Sequence, residues 1–189
     1  MSKPAARPRG ALQCPPLAVP PPAIELRNRQ HVRRLDTRRL IPLAHALLHE
    51  LGVTAGELSV VFVDAPFMAR LNQTYLGHTG STDVITFDYH ATPSPTPAAF
   101  VQGELFVCVE AAIEQARLFR VTWQSELVRY LVHGVLHLRG YDDLEAGPRR
   151  RMKREEDRLV KALAQRFEVE RIGKVKQTLN LPHKLAVAP

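Results

Sequence analysis

Apolar side chains recur along this chain with two different periods, one typical of helices and one typical of strands. From Asp36 to Leu51 they return every three or four residues, which predicts an amphipathic helix that Asp36 caps and Gly52 ends. Short runs in which apolar and polar residues alternate, or in which β-branched residues cluster, predict strands. The predicted strands span residues 23–29, 57–64, 82–89 and 104–109.

Four further helices are predicted after the first one. Two are short and span residues 65–75 and 110–119. A third begins at Thr122 or Ser125 and runs through His137; it is apolar around most of its girth, so we expect it to lie buried at the centre of the fold. The last spans residues 148–167, with proline in its first turn. The side chains expected to point inward are Phe67, Met68, Leu71 and Tyr75 in the first short helix, and Met152, Leu159, Leu163 and Phe167 in the last helix.

Strands and helices are mixed without the strict alternation of a doubly wound sheet, which predicts an α+β fold. We expect a single domain with a roughly four-stranded mixed sheet, helices packed on it, and one central buried helix. The 189 residues, of which 45% are hydrophobic, suffice for one globular domain with a proper core. The expected domain covers residues 23–167, between a proline-rich, basic, disordered arm at 1–22 and a basic tail at 168–189.

Neither the cysteines nor the apolar runs indicate a secreted or a membrane protein. Cys14 and Cys108 form no disulfide framework and no CxxC metal site, and Cys108 is expected to be a buried small apolar side chain. Every apolar run is far shorter than the roughly 20 residues that a membrane span requires. We therefore expect a soluble, cytoplasmic protein that does not engage a membrane.

The positive charge of the chain is regional. Residues 1–40 hold nine Lys or Arg and two acids, whereas residues 41–189 hold 17 of each. Arginine side chains match phosphate oxygens, and such contacts release counterions, so a phosphate-binding patch around Arg33, Arg34 and Arg38 is one interpretation. A solvated basic face without a ligand is the other, and charge alone does not choose between them.

Residues 133–143, which read HGVLHLRGYDD, carry the strongest chemical signal. His133 and His137 lie four residues apart, so on a helix both imidazoles can reach one metal ion. Gly140 can end the helix in a left-handed conformation that turns the chain back and carries Asp143 toward the same ion. Three protein ligands leave a coordination position open, as in catalytic metal sites. The alternative is two satisfied histidines in a core helix beside an exposed acidic turn.

Zinc proteases of the metzincin type use the same ligand spacing. They place a glutamate directly after the first histidine, where it acts as the general base. That position is Gly134 here, so the general-base carboxylate that would stand beside a metal-bound water is absent from the motif. This difference argues against a zinc metalloprotease.

HGVLHLRGYDD resembles the HGxLHLxGYDH signature of the YbeY family of endoribonucleases. The similarity continues in residues 71–75 (LNQTY), 81–87 (STDVITF) and 103–106 (GELF), which resemble the family's LNxxYR, PTDVLSF and GDI segments. Met152 and Glu156 fit the family's trailing MxxxE pattern.

The resemblance, which extends over residues 24–167, implies a single-domain, metal-dependent endoribonuclease that cuts single-stranded RNA. It further implies a role in rRNA processing, particularly in maturation of the 16S rRNA 3′ end, and in ribosome quality control. The implied partners are rRNA and the small ribosomal subunit. The implied cofactor is one divalent ion, Zn²⁺ first, without an organic cofactor. By motif position, His133 and His137 carry over as metal ligands, and Asp143 takes the place of the third family histidine.

Two positions depart from the family pattern. Asp143 replaces a histidine; a carboxylate is an acceptable zinc ligand, but its charge should weaken the Lewis acidity of the ion. Leu76 stands where the family has an arginine thought to serve RNA cleavage, and a leucine can neither bind phosphate nor stabilise developing charge. Arg139, His78 and Arg70 are candidates to fill that role, or they are ordinary surface charges.

The chemistry predicted from these residues is phosphodiester hydrolysis at an ion held by His133, His137 and Asp143, with Arg139 assisting. Asp142, next to a ligand, could orient an imidazole, or it could be an ordinary turn residue. The residues predicted to contact RNA, or else to form solvated basic faces, are Arg33, Arg34, Arg38, Arg149, Arg150 and Arg151. A non-catalytic rRNA-binding assembly factor with a structural metal remains as an alternative from a different class.

Overall fold

The computed structural model describes residues 20–90 and 99–173 of the chain. Most of the predicted arm at 1–22, the cysteine at position 14 and the three prolines between residues 92 and 98 lie outside these ranges, as does the predicted tail from residue 174 onward. The described residues contain four strands: β1 (Ala23–Asn28), β2 (Ala55–Val63), β3 (Val84–Asp88) and β4 (Phe100–Cys108). They also contain five α-helices: α1 (Thr37–Glu50), α2 (Ala65–Leu71), α3 (Val109–Phe119), α4 (Trp123–Leu138) and α5 (Ala146–Arg166).

The strands form one mixed sheet in the order β1-β2-β4-β3. β1, β2 and β4 are parallel to one another, and β3 runs antiparallel to β4 at the edge of the sheet. Successive side chains of a strand point to opposite faces, so β2 directs Val60 and Phe62 into the main core and Val61 and Val63 into a smaller core beneath α2. This arrangement confirms the predicted α+β fold with a four-stranded mixed sheet.

α4 is the central buried helix that the apolar pattern predicts. Ten of its 16 residues are buried, and it packs on β3 and β4 with α3 and α5 beside it. Gly134 allows the helix to approach the sheet closely, because a Cβ atom there would lie 2.9 Å from Leu105 Cδ2 and 3.2 Å from Val84 Cγ2. The fold therefore holds the histidine-bearing helix directly against the two strands.

The helix ends agree with the predicted caps. The Asp36 carboxylate accepts a hydrogen bond from the Arg38 backbone N–H at the start of α1, and the Thr122 hydroxyl accepts one from the Ser125 N–H at the start of α4. Gly52 follows α1 with a φ of +69°. This left-handed backbone costs a glycine little, so the predicted end of α1 is confirmed.

Three elements differ from the sequence-based expectation. α2 ends at Leu71 and continues as a π-helical segment, Asn72–Leu76, in which Tyr75 is 61% exposed, so the prediction that Tyr75 points inward is wrong. The Tyr75 ring instead packs edge-on against the Phe87 ring, with their centroids 5.0 Å apart. β4 begins at Phe100, four residues before its predicted start, because Gln102 and Gly103 interrupt the apolar run within the strand. A 3₁₀ turn at Val169–Gly173, which no periodicity predicted, buries Ile172 beside the start of α1.

Cys108 lies fully buried at the end of β4, as predicted. Burial raises the pKa of its thiol, which suits an apolar packing role. Among the helices of residues 20–90 and 99–173, none is both long enough and apolar enough to cross a membrane.

Candidate metal centre

His133 and His137 lie on one face of α4, and their Nε2 atoms are 3.1 Å apart. Gly140, with a φ of +78°, ends the helix and turns the chain back, as predicted. The turn brings Asp143 to the histidines, with Oδ2 at 3.8 Å from His133 Nε2 and Oδ1 at 4.0 Å from His137 Nε2. The structure therefore brings together the three residues that the spacing singled out.

The opposite nitrogen of each imidazole is held by a hydrogen-bond acceptor. His133 Nδ1 lies 3.1 Å from Glu156 Oε2, and His137 Nδ1 lies 3.1 Å from the Tyr141 carbonyl oxygen. A carbonyl or an ionised carboxylate can only accept, so both Nδ1 atoms carry the proton. In the neutral tautomers both Nε2 lone pairs therefore point at each other and toward Asp143.

Glu156 is a buried carboxylate, 5% exposed, at the centre of a charged network. It accepts hydrogen bonds from Arg129 Nη1 and Lys153 Nζ, both at 2.7 Å, besides the one from His133. Burial raises the pKa of Glu156, but its three hydrogen-bond donors outweigh burial and lower that pKa to about 2. The hydrogen bond to Glu156 in turn raises the pKa of His133 against the effect of burial.

This donor set fits a cation. One ligand atom from each of His133, His137 and Asp143 lies within 4.8 Å of the others, and all three residues are partly buried. Two lone pairs and a carboxylate oxygen that face each other repel unless a proton or a metal ion lies among them. Two imidazole nitrogens and one carboxylate oxygen are ligands that zinc and other first-row divalent ions accept. The cluster could therefore bind a metal ion.

Arg149 fixes the turn that carries Asp143. Its Nε donates to the Asp143 carbonyl oxygen at 2.7 Å, and its Nη2 donates to the Leu144 carbonyl oxygen at 2.9 Å. Asp142, which was a candidate to orient an imidazole, instead accepts a hydrogen bond from the Leu144 N–H at 2.9 Å. In the structure Glu156 and the Tyr141 carbonyl hold the imidazoles, while Asp142 and Arg149 shape the turn.

The candidates for the missing family arginine have other contacts. Arg139 Nη1 donates to the Phe100 carbonyl oxygen at 2.7 Å, and the Arg70 guanidinium lies 5.4 Å from the Phe67 ring centroid. His78 is exposed beyond the π-helical segment, and Leu76 itself is 51% exposed. No contact in the described residues joins Arg70 or His78 to the cluster.

The predicted basic residues fall in two places. Arg33, Arg34 and Arg38 lie around the start of α1. The start of α1 lies beside the start of α4, because the Asp36 N–H donates to the Ile172 carbonyl oxygen and the next residue, Gly173, packs on Trp123. His137 comes 14 residues after Trp123, a distance of about 21 Å along the helix. The structure therefore does not bring these arginines together with the cluster.

Arg150 and Arg151 lie on the first turns of α5, close to the Asp143 turn. Arg151 and Arg139 line a pocket of about 260 Å³ together with Gly140, Tyr141 and Asp142. This pocket therefore places two guanidinium groups next to the turn that supplies Asp143.

Packing explains why Gly134 occupies the position at which zinc proteases have their glutamate. Gly134 faces Leu105 and Val84 of the sheet, on a different side of α4 from the two imidazoles. A side chain there would have to displace the sheet rather than reach the cluster. The geometry therefore supports the argument against a zinc protease.

Glu156 is not among the residues predicted for the site, although it matches the family's MxxxE pattern. A signal was present: Glu156 shares the inward stripe of α5 with Met152, Leu159 and Leu163, where an acid is out of place unless it has a partner. The identity of that partner could not be read from the sequence, because His133 lies 23 residues earlier on another helix.

Comparison with known proteins agrees with the motifs. Residues 24–164 match the family model described as endoribonuclease YbeY. The chain is 32% identical over 146 residues to the endoribonuclease YbeY of Salinibacter ruber, which covers 76% of this chain and 93% of the relative. It is 34% identical over 131 residues to that of Chlorobium luteolum, which covers 69% of this chain and 91% of the relative.

A solution structure of a Thermotoga maritima protein has a similar fold. The TM-score is 0.57 at 23% sequence identity, over 82% of this chain and 98% of that one. At this level of identity the likeness concerns the fold alone. The family match over residues 24–164 and the relatives at 32–34% identity lead to one conclusion: this chain belongs to the YbeY family of endoribonucleases.

Proposed function

We propose that this protein hydrolyses phosphodiester bonds of single-stranded RNA at the cluster of His133, His137 and Asp143. The observation that carries the proposal is the pair of Nε2 atoms 3.1 Å apart, with Asp143 beside them and both rings held from behind. That arrangement suits a divalent ion, and the chain belongs to a family of endoribonucleases.

The three cluster residues would hold the ion, and Zn²⁺ is our proposal because two imidazoles and a carboxylate form a common zinc ligand set. When bound, such an ion polarises phosphate oxygens and acidifies water. Glu156 keeps the proton of His133 on Nδ1, so the Nε2 lone pair stays available for the ion. Arg149 holds the backbone of the Asp143 turn in the orientation that directs the carboxylate toward the histidines.

The pocket lined by Arg139 and Arg151 is our candidate for a phosphate of the bound strand. Guanidinium groups bind phosphate oxygens through charged hydrogen bonds, and the pocket adjoins the Asp143 turn. Arg150, exposed on α5 like its neighbour Arg151, would add to the electrostatic attraction of the RNA strand without holding a particular phosphate. Arg33, Arg34 and Arg38 would contact only RNA that extends along α4 toward its start.

The motif resemblance extends the proposal to the substrate. We infer that the substrate is ribosomal RNA, with the 3′ end of 16S rRNA and the small subunit as the target, and with a part in ribosome quality control. Such a substrate would place the protein in the cytoplasm. A non-catalytic assembly factor would use the same fold and metal, but the open side of a three-ligand cluster favours catalysis.

The experiment uses metal-depleted protein and a labelled single-stranded rRNA precursor. We expect no cleavage without metal, cleavage on addition of zinc, and much weaker cleavage of the same sequence annealed to its complement. Binding of the precursor without cleavage under every metal condition would support the assembly factor instead.

A further inference from the structure

A second pocket, of about 320 Å³, borders His133 on the side of Glu156. It lies between α3, α4 and α5, and its walls include Asp83, Gln115, Phe119, Glu126 and Tyr130. Small-molecule sites begin at roughly 300 Å³, so the volume suits one compact planar group. It adjoins His133 on the side of the ring away from the proposed ion, so its occupant would belong to a nucleotide near the reacting phosphate without contacting that phosphate.

The charges of this pocket do not suit a phosphate. Asp83, Glu126 and Glu156 contribute three carboxylates, against the two cations Arg129 and Lys153. Both cations are committed, since Arg129 Nη1 and Lys153 Nζ each lie 2.7 Å from Glu156 Oε1. The remaining acceptors favour an occupant that donates N–H groups.

Glu126 is the clearest acceptor. It is 4% exposed, and its nearest charged partner, Arg129 Nε, is 3.7 Å away, beyond hydrogen-bonding distance. Burial raises the pKa of this carboxyl against the effect of Arg129. A buried carboxylate whose ion-pair partner lies beyond hydrogen-bonding distance is costly to the fold, and a ligand N–H would stabilise it.

Phe119 offers the second kind of contact. It sits at the end of α3, lines the pocket and is nevertheless 66% exposed. An exposed aromatic ring next to a pocket is a platform on which a nucleobase can stack. Its neighbour Leu118, 74% exposed, does not line the pocket.

We propose that this pocket binds one nucleobase of the RNA strand, stacked on Phe119 and donating its exocyclic amino group to Glu126. Adenine, cytosine and guanine carry that donor, and uracil does not. The proposal rests on the proposed function, because the strand must lie at the metal cluster. Phe119 and Glu126 would then select the base beside the cleavage site.

The test uses zinc-loaded protein and labelled oligouridine strands that contain a single adenosine, cytidine or guanosine. We expect cleavage beside the inserted base to exceed cleavage between uridines by about tenfold, the effect of one hydrogen bond to a charged group, because stacking on Phe119 is available to every base. Phe119→Ala should raise KM by about tenfold on these strands. Leu118→Ala, which truncates the adjacent exposed side chain, should leave KM unchanged. Glu126→Gln should reduce the preference, because its amide can also donate to uracil.

Equal cleavage at all four bases, with Phe119→Ala indistinguishable from Leu118→Ala, overturns the base pocket and leaves the proposed function intact. Failure of the wild-type protein to cut both these strands and the rRNA precursor overturns the proposed function and this proposal with it; cleavage of the precursor but of none of these strands overturns this proposal alone. Retention of the base preference in Glu126→Gln together with a raised KM in Phe119→Ala would overturn the role of Glu126 alone.

Discussion

Glu156 Oε2 lies 3.1 Å from His133 Nδ1, so a buried carboxylate on α5 holds the first histidine of α4 from behind. The contact fixes the tautomer of the imidazole and couples two helices that are distant in sequence. Carboxylate–histidine pairs of this kind raise the basicity of a metal-binding imidazole and fix its direction. The candidate metal centre therefore depends on α5 although none of its three proposed ligands lies on α5.

Replacing Glu156 by glutamine should weaken zinc binding by about 10–100-fold, because the neutral amide is a poorer acceptor for the His133 N–H. Isothermal titration of metal-depleted protein measures the change. Glu155→Gln is the matched control, since the Glu155 carboxylate binds Arg158 and not a histidine. Equal affinities of the two variants would contradict a role for Glu156 in the metal centre.

Arg149→Ala should weaken zinc binding by about tenfold, because the Asp143 turn loses the two hydrogen bonds that hold its carbonyl oxygens. Arg150→Ala removes the same charge from the neighbouring position and should leave zinc affinity unchanged. Both variants should bind RNA somewhat less well, by similar factors. Zinc affinity measured on both variants separates the structural role of Arg149 from the effect of its charge. Equal zinc affinities of the two variants would refute the role of Arg149 in holding the Asp143 turn.

Asp143→Ala should reduce zinc affinity by more than about 100-fold, since losing a ligand costs more than losing the partner of a ligand. Asp143→His should keep tight zinc binding and restore the three-histidine pattern of the family. Asp142→His places the same imidazole one position away, where the carboxylate caps the Leu144 N–H, and should not improve zinc binding. Loss of affinity in the Asp142 variant alone would show that Asp142 and not Asp143 is the ligand.

Glu126→Gln should stabilise the protein at neutral pH by on the order of 1 kcal/mol, because it removes a buried charge. The pKa of Glu126 is raised in the fold, so the wild-type contribution is present below about pH 4.5 and is lost as pH rises through the folded pKa. The gain should therefore be absent at low pH and constant at high pH.

Thermal unfolding measured across this pH range gives the comparison. Glu155→Gln is the control with the opposite sign, because the hydrogen bond from Arg158 lowers the pKa of Glu155. The Glu155 carboxylate therefore stabilises the fold above about pH 4.5, and this stabilisation is lost as pH falls through the lowered pKa. A loss of stability in Glu126→Gln at neutral pH would contradict the account of this buried charge.

Much of the fold and the core of the site follow from local patterns. The structure agrees with the predictions that depend only on neighbouring residues. These are the helical period of α1 and α4, the caps at Asp36 and Thr122, and the spacing of His133, His137 and Gly140. The π-helical continuation of α2 was missed because its periodicity differs little from that of an α-helix over one turn.

The contacts that support the site depend instead on long-range packing. Glu156 meets His133, 23 residues away, only because α5 packs along α4. Arg149 lies six residues from Asp143, but their contact depends on the irregular turn between α4 and α5, which no periodic pattern describes. Sequence patterns placed Arg149 among possible RNA contacts because charge alone does not tell which partner a guanidinium has. The pocket beside Phe119 likewise exists only where three helices meet.

We propose that a metal ion at His133, His137 and Asp143 makes this protein a ribonuclease. The most direct measurement compares zinc-loaded wild type with His137→Ala on one single-stranded rRNA precursor, after circular dichroism has shown that the variant is folded. We expect discrete products from the wild type, abolished by a chelator, and none from the variant. Equal products from both proteins would contradict it.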